Sequence, residues 1–287
     1  MARSVLLYLS LFLSFLSPLA LASDEIIGKE IIINKMVSSE MASKDKVPLR
    51  VLPLGASITW GVNSATGNGY RKPLHDKLES NGWEVDMVGS QKHGTMKDNV
   101  RYTPVAYPYR TMSANQPNQD VEAHSGDIVD KVKAAAHKSL KYEPNVVLIN
   151  AGTNDCLKNI SIPHTGARMR SLINDILKDD DSRNATVVLS TLIPSHNKDI
   201  VANLPKVNRQ YRDLVKSMRK EGARIVLADM NPEGEGGDDR LSWPKDYIGK
   251  GKEKADDTHP NDGGYKKMAT VWYKAIEEAW KDDLIQE

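Results

Sequence analysis

The chain has 287 residues, enough for one large domain or two small ones with a hydrophobic core. Hydrophobic residues make up 40% and charged residues 27% of it, which excludes a disordered polymer. The formal net charge of +1, without long blocks of one sign, gives no indication of nucleic acid or an anionic membrane as partner.

The first 22 residues have the pattern of a secretory signal peptide. Arg3 supplies a positive start, residues 5–16 are largely apolar, and Ala20-Leu21-Ala22 has the small–x–small spacing of a cleavage site. A membrane anchor is the alternative, but serines and Pro18 interrupt the segment before it reaches the about 20 apolar residues of a spanning helix. We therefore expect a secreted, extracellular protein without a membrane contact after cleavage.

Residues 23–47 have no clear period and are predicted to form an N-terminal extension or linker before one domain at residues 48–287. Five apolar, β-branched runs in this domain are nearly continuous, which predicts strands buried on both faces. These runs are Arg50–Leu54, Glu84–Val88, Asn145–Asn150, Thr186–Thr191 and Arg224–Asp229. Apolar residues three or four apart predict five helices, at Tyr70–Glu79, Ile128–Leu140, Thr165–Leu177, Asn203–Lys220 and Gly264–Trp280.

Strands that alternate with helices predict βαβ units, a parallel sheet and helices on both of its faces. The expected fold class is therefore α/β, a flavodoxin-like three-layer α/β/α sandwich with a five-stranded parallel sheet. Residues 91–125 contain no convincing strand or helix, and an insert of this length is usually functional or disordered. The insert begins and ends near carboxyl ends of strands, where open α/β sheets bind ligands.

Four short blocks with reactive or donor residues follow predicted strands or precede the last helix. They are Ser57 in GASIT, Gly126 in HSG, Asn154 in GTND and His259 in DDTHPN. A serine hydroxyl needs a base to take its proton, and an imidazole can be that base. A carboxylate must orient the imidazole, which makes acyl transfer the chemistry that these residue types favour.

The carboxylate and the oxyanion donors each have more than one candidate. Asp256 or Asp257 can orient His259. The developing oxyanion needs donors fixed in advance, and the candidates are the N–H groups of Ser57 and Gly126 and the side-chain amide of Asn154. The simpler alternatives are that the glycine starts a helix and that the amide, or the neighbouring Asp155, caps one.

The order of the four blocks resembles the SGNH (GDSL-type) hydrolases. The resemblance extends from about Leu49 to Trp280, and the segments RVLPLGASITWG, GYRKPLHDKLESNGWEVDMVGS and EAHSG are most similar to the acetyl xylan esterases of carbohydrate esterase family three. It implies an α/β/α fold and a secreted serine esterase acting on acylated polysaccharide or oligosaccharide, with acetyl as the acyl group. It implies no metal or organic cofactor, and we expect a monomer.

The resemblance also implies a role for each matching residue. Ser57 would be the nucleophile and the first oxyanion donor, and Gly126 and Asn154 the other donors. His259 would be the base and Asp256 its orienting carboxylate. These are the candidate catalytic and oxyanion-hole residues.

The first block departs from the family pattern. The usual Gly-Asp-Ser is replaced by Gly55-Ala56-Ser57, which removes a supporting carboxylate beside the nucleophile. A non-catalytic carbohydrate-binding relative is therefore one alternative function. A general carboxylesterase or lipase is another, although the polar, proline-rich insert at residues 91–125 favours a small acyl group.

Several other residues carry weaker predictions. Asn159 and Asn184 lie in N-x-S/T sequons and are predicted glycosylation sites. Cys156 is the single cysteine, so it makes no intrachain disulfide; we expect a small apolar residue rather than a redox-sensitive thiol. His93 and His124 lack the spacing of a metal site. Four aromatic residues are candidates for stacking on sugars, although aromatic residues near a strand end more often belong to the core: Trp60, Tyr70, Tyr107 and Tyr109.

Overall fold

The computed structural model of this protein describes residues 46–96, 120–233, 239–248 and 256–286. The predicted signal peptide, nearly all of the predicted extension and the two candidate tyrosines Tyr107 and Tyr109 lie outside these described residues. The proposed boundary at residue 48 stays a prediction. Elements are numbered along the described part of the chain.

Nine strands lie in the described residues, seven of them in one central sheet. Their bounds are β1 Leu49–Gly55, β2 Val85–Met87, β3 Gln91–Lys92, β4 Asp120–Ala123, β5 Val146–Asn150, β6 Thr186–Ser190, β7 Ile225–Ala228, β8 Tyr247–Ile248 and β9 Asp256–Pro260. The sheet has the order β3-β4-β1-β5-β6-β7, and β2 pairs with the start of β1. Its strands are parallel apart from the antiparallel pair β3–β4, while β8 and β9 form a separate antiparallel pair.

Helices cover both faces of this sheet. Their bounds are α1 Ser57–Trp60, α2 Arg71–Ser80, α3 Val129–Leu140, α4 Thr153–Lys158, α5 Thr165–Lys178, α6 Lys198–Lys220 and α7 Asp262–Lys281. One buried cluster joins the sheet to α2 and α7, and a second joins it to α3, α5 and α6. The two clusters make this a three-layer α/β/α sandwich. None of the helices in the described ranges is long and apolar enough to cross a membrane.

The predicted fold class is confirmed, since all five predicted runs form parallel strands of one sheet. The strand number is not five but seven, because β3 and β4 form at the two described ends of the insert at residues 91–125. α6 begins five residues earlier than predicted, at Lys198. The side chain of Asn197 accepts the N–H groups of Asp199 and Ile200 there, which satisfies free amides of the first turn.

Candidate active site

Ser57 is the first residue of α1, directly beyond the carboxyl end of β1. The turn between them needs a glycine at position 55, since a Cβ there would lie 2.3 Å from the carbonyl oxygen of Asn150 on β5. The amide of Ser57 belongs to the first helical turn, where N–H groups have no acceptor within the helix. The hydroxyl and the amide N–H of Ser57 therefore both lie at the carboxyl edge of the sheet.

The short helix α1 has no side-chain cap at its amino end, but Arg71 binds its carboxyl end. Ala56 precedes it, is buried with 7% of its surface exposed, and offers no side-chain hydrogen bond to the helix. The fully buried guanidinium of Arg71 donates to the carbonyl oxygens of Trp60 and Gly67, at 3.3 and 2.9 Å. At the position of the usual aspartate, an apolar side chain therefore lies next to Ser57 and offers it no hydrogen bond.

Ser57, His259 and Asp256 form a continuous chain of hydrogen bonds. The Oγ of Ser57 lies 2.8 Å from Nε2 of His259, and Nδ1 of the same ring lies 2.8 Å from Oδ2 of Asp256. The other oxygen of Asp256 accepts the backbone N–H groups of Thr258 and His259, at 2.7 and 2.9 Å. This local turn folds the carboxylate back onto the ring and fixes which ring nitrogen faces the serine.

The carboxylate of Asp256 is held in its charged form. Burial raises its pKa, but the hydrogen bonds from the His259 ring and from two backbone amides lower it by more, so the pKa lies well below its ordinary value. Asp257 has a different place: its backbone carbonyl accepts the Ser195 hydroxyl at 2.8 Å and the His196 N–H at 3.0 Å. Of the two candidate carboxylates, the structure brings Asp256 to the imidazole.

Gly126 lies in the loop after β4, next to the end of β1. Gly55 and Ala123 are paired across the two strands, and the N–H of His124 donates to the carbonyl oxygen of Gly55 at 3.3 Å. Gly126 has a φ of +88°, which favours glycine, and no atom lies within 4 Å of the position that a Cβ would take. The space beside this glycine is open.

The side chain of Asn154 contacts the loop that contains Gly126. It lies in α4, and its side-chain amide donates to the carbonyl oxygen of Asp127 at 2.9 Å. Lys158 of the same helix donates to the carbonyl oxygen of Gly126 at 2.8 Å. Gly152 makes the turn into α4 with a φ of +118°, where a Cβ would lie 2.7 Å from the hydroxyl of Tyr211.

The residues after Asn154 are structural. Asp155 is fully buried and accepts the N–H of Val129 at 3.1 Å and Arg168 at 2.6 Å, so it stabilises the start of α3 rather than capping its own helix. Cys156 is also fully buried, and burial raises the pKa of its thiol to about 12. An inert apolar residue is what the sequence suggests at this position.

The aromatic candidates divide into one at the surface and one in the core. The Trp60 ring is partly exposed and stacks on His93, with ring centroids 4.0 Å apart. Burial and the charge of Arg71 lower the pKa of His93, which favours the neutral form of the ring. For Tyr70 the core alternative is confirmed: the ring, directly before α2, is 0% exposed and packs against Trp272.

The structure adds an aromatic group that sequence analysis missed. His196, Trp243 and Tyr247 lie in a row, with ring centroids 4.7 Å apart for the first pair and 5.6 Å for the second. Tyr247 pairs with Pro260, the residue after His259, so the row flanks the strand that carries the imidazole. A lone tryptophan in the polar segment DDRLSWPKDY is the signal that could have indicated it.

The remaining positions are the two glycosylation candidates and a cluster of possible metal ligands on α2. Asn159 and Asn184 are exposed at the surface, so their glycosylation stays a prediction. On α2, His75, Asp76 and Glu79 bring possible metal-ligand atoms within 4.8 Å of one another, but the two acidic residues are exposed. Exposed acidic groups of this kind are common without an ion.

The fold and the site define a class of protein, an open α/β sheet with a hydroxyl–imidazole–carboxylate chain at its carboxyl edge. Residues 51–272 match the model of the GDSL-like lipase/acylhydrolase family. The chain therefore belongs to that family, as the four sequence blocks indicate.

Comparison with individual proteins finds one esterase similar in sequence and two carbohydrate esterases similar in fold. It is 27% identical over 239 residues to a multidomain esterase of Ruminococcus flavefaciens; the match covers 80% of this chain but spans only 28% of that protein's length. A Clostridium thermocellum family 3 carbohydrate esterase has a TM-score of 0.61 and 22% identity, over 84% of this chain and 100% of its own. A family 3 carbohydrate esterase from Talaromyces cellulolyticus has a TM-score of 0.55 and 19% identity, over 82% and 99%.

Proposed function

We propose that this protein is a secreted serine esterase that removes small acyl groups, chiefly acetyl, from plant cell-wall polysaccharide such as acetylated xylan. The observation that carries the proposal is the Ser57–His259–Asp256 hydrogen-bond chain at the carboxyl edge of the sheet. A hydroxyl within 2.8 Å of an oriented imidazole is the arrangement that nucleophilic acyl transfer requires.

The proposed reaction assigns roles to five residues. The Oγ of Ser57 attacks the ester carbonyl carbon while Nε2 of His259 takes its proton, and the charged Asp256 stabilises the imidazolium. The N–H groups of Ser57 and Gly126 and the amide of Asn154 stabilise the oxyanion. The imidazolium then returns the proton to the departing sugar oxygen. Water, deprotonated by the same imidazole, attacks the acyl-serine. The imidazolium returns this proton to the Oγ of Ser57 as the bond to the acyl group breaks, which releases the carboxylic acid.

The choice of a carbohydrate substrate rests on the relatives and on the aromatic rings beside the site. The name of the multidomain esterase points to ester hydrolysis, and the names of the two family 3 carbohydrate esterases add carbohydrate as the substrate class. The partly exposed ring of Trp60 lies on α1, which carries Ser57. The partly exposed ring of Trp243 contacts Tyr247, whose strand pairs with the strand of His259. A partly exposed aromatic ring has a flat apolar face that can stack on the C–H face of a sugar.

The proposal predicts acetate release from acetylated xylan by residues 23–287. The rate is measured by acetate assay, with the Ser57→Ala variant as the blank. On p-nitrophenyl esters of increasing chain length, we expect the highest kcat/KM with acetate. A maximum at long chains would instead support a lipase or general carboxylesterase, and glycan binding without turnover would support a non-catalytic relative.

Trp243 tests the carbohydrate part of the proposal separately from the chemistry. In Trp243→Ala, we expect KM for acetylated xylan to rise about 5- to 20-fold, because one buried aromatic contact is worth on the order of 1–2 kcal/mol. The kcat/KM for p-nitrophenyl acetate, which has no sugar, is expected to stay within about 2-fold.

Tyr273→Ala is the matched control, since this ring is also partly exposed but lies on α7 beside Lys77. This variant is expected to leave KM for acetylated xylan and kcat/KM for p-nitrophenyl acetate unchanged. If the tryptophan variant hydrolyses xylan and the small ester in the same ratio as the native protein, the proposed sugar contact is refuted.

A further inference from the structure

A carboxylate outside the proposed triad is completely buried at the edge of the sheet nearest Ser57. Glu122 lies in β4 opposite Leu54 of β1 and is 0% exposed. Its Oε2 accepts the hydroxyls of Ser90 and Ser139, the latter at 2.5 Å, and its Oε1 lies 2.7 Å from Nε2 of His124. A buried carboxylate is costly unless donors of this kind surround it, and the described contacts supply three.

His124 connects this buried carboxylate to two neighbouring strands. Because a carboxylate only accepts hydrogen bonds, Nε2 of His124 is the donor to Glu122. The other ring nitrogen lies 3.2 Å from the side-chain amide of Gln91 on β3, and the backbone N–H donates to Gly55 at the end of β1. His124 is therefore fixed through its ring and its backbone, although its side chain is 32% exposed.

The loop that begins at His124 contains Gly126. The N–H of Asp127 donates to the carbonyl oxygen of His124 at 3.1 Å and closes a turn around the glycine. Lys158 and Asn154 hold the far side of this turn through the carbonyl oxygens of Gly126 and Asp127. His124 holds the amino-terminal end of the turn, since its carbonyl oxygen accepts the N–H of Asp127.

Gly126 cannot fix its own position. It has no side chain, its φ lies in the left-handed region, and the space beside it is open. An oxyanion donor is effective only when its N–H is fixed before the charge develops. The orientation of this amide must therefore come from the residues that anchor the turn.

We propose that Glu122 and His124 form a positioning pair that holds the N–H of Gly126 in place for the oxyanion. The proposal rests on the proposed esterase function, because the oxyanion is that of the acyl-transfer intermediate. Neither residue of the pair exchanges a proton with the substrate. His124 acts on the turn, and Glu122 acts on His124.

The test compares three variants of the pair with one control in the full chain. His124→Leu removes the donor, Glu122→Gln replaces an acceptor oxygen by a donor, and His124→Gln keeps a donor near the position of Nε2. His137→Leu, on the exposed side of α3, is the matched control. For each variant, kcat and KM for p-nitrophenyl acetate and the amide hydrogen exchange of residues 124–129 are measured below the melting temperature.

We expect His124→Leu and Glu122→Gln to lower kcat about 10- to 100-fold with KM within about 2-fold, because a displaced donor weakens only the transition state. Exchange at residues 124–129 is expected to be faster in both variants. His124→Gln is expected to recover most of the kcat, and the His137 control to match the native protein.

Three results would overturn the inference, and the first two are unchanged kcat in the folded His124→Leu variant and unchanged exchange at residues 124–129. A rise in KM alone would also overturn it, since it would place His124 in substrate binding. If the native protein hydrolyses no ester, the proposed function fails, and the exchange measurement still decides whether the pair fixes the turn. If Glu122→Gln does not fold, the two His124 variants decide the result.

Discussion

Ser57→Ala is expected to lower kcat for ester hydrolysis by about 10⁴- to 10⁶-fold, the range seen when a serine nucleophile is removed. The hydroxyl supplies the atom that is acylated, and the imidazole 2.8 Å away cannot replace it. The variant loses one hydrogen bond at a partly exposed position, so its free energy of unfolding should change by about 1 kcal/mol or less.

Ser64→Ala is the matched control for this substitution. Ser64 is also a partly exposed serine, it follows α1 in the chain, and its hydroxyl contacts that of Thr66 at 3.4 Å. Both variants are assayed on p-nitrophenyl acetate and melted by circular dichroism. If Ser57→Ala retains more than about a tenth of the native kcat while Ser64→Ala is fully active, Ser57 is not the nucleophile.

Asp256→Asn is expected to lower kcat by about 10³- to 10⁴-fold with little change in shape. The hydrogen bonds of Asp256 hold its pKa well below the ordinary value, so the native side chain is charged at every pH at which the protein is assayed near neutrality. An asparagine removes that charge and can present an N–H to Nδ1 of His259. The ring would then hold its proton on Nε2, where it cannot accept the proton of Ser57.

The neighbouring residue provides a strict control. Asp257→Asn changes the same chemical group one residue along, but its backbone carbonyl, which binds Ser195 and His196, is retained. We expect its kcat to stay within about 3-fold of the native value. Equal losses in the two variants would mean that the negative charge of this segment, rather than contact with His259, supports activity.

The sequence predicts the parallel core well but misses the strand that carries Glu122. The five predicted strands consist of apolar, β-branched residues because both of their faces are covered. Strand β4 is only four residues long and reads Asp-Val-Glu-Ala. Its glutamate is buried through hydrogen bonds with residues distant in the chain, and no hydrophobic pattern contains that information.

Sequence order also finds the candidate site, but not what surrounds it. The spacing of Asp256 and His259 is local, and a turn of chain brings the two side chains together, as the structure describes. The contact of Trp243 with His196 depends on how two loops meet, and the burial of Tyr70 depends on which way α2 faces the sheet. Both are properties of packing, which residue types alone do not specify.

The hydrogen bond between Ser57 and His259 joins residues 202 positions apart. During synthesis Ser57 therefore leaves the ribosome well before His259, and strands β2 to β8 are synthesised between them. A long-range contact of this kind forms late in folding, because the chain loses the entropy of closing the loop before the contact can stabilise it. The contact forms only after the intervening strands have been synthesised, so under the proposed function ester hydrolysis would report completion of the fold.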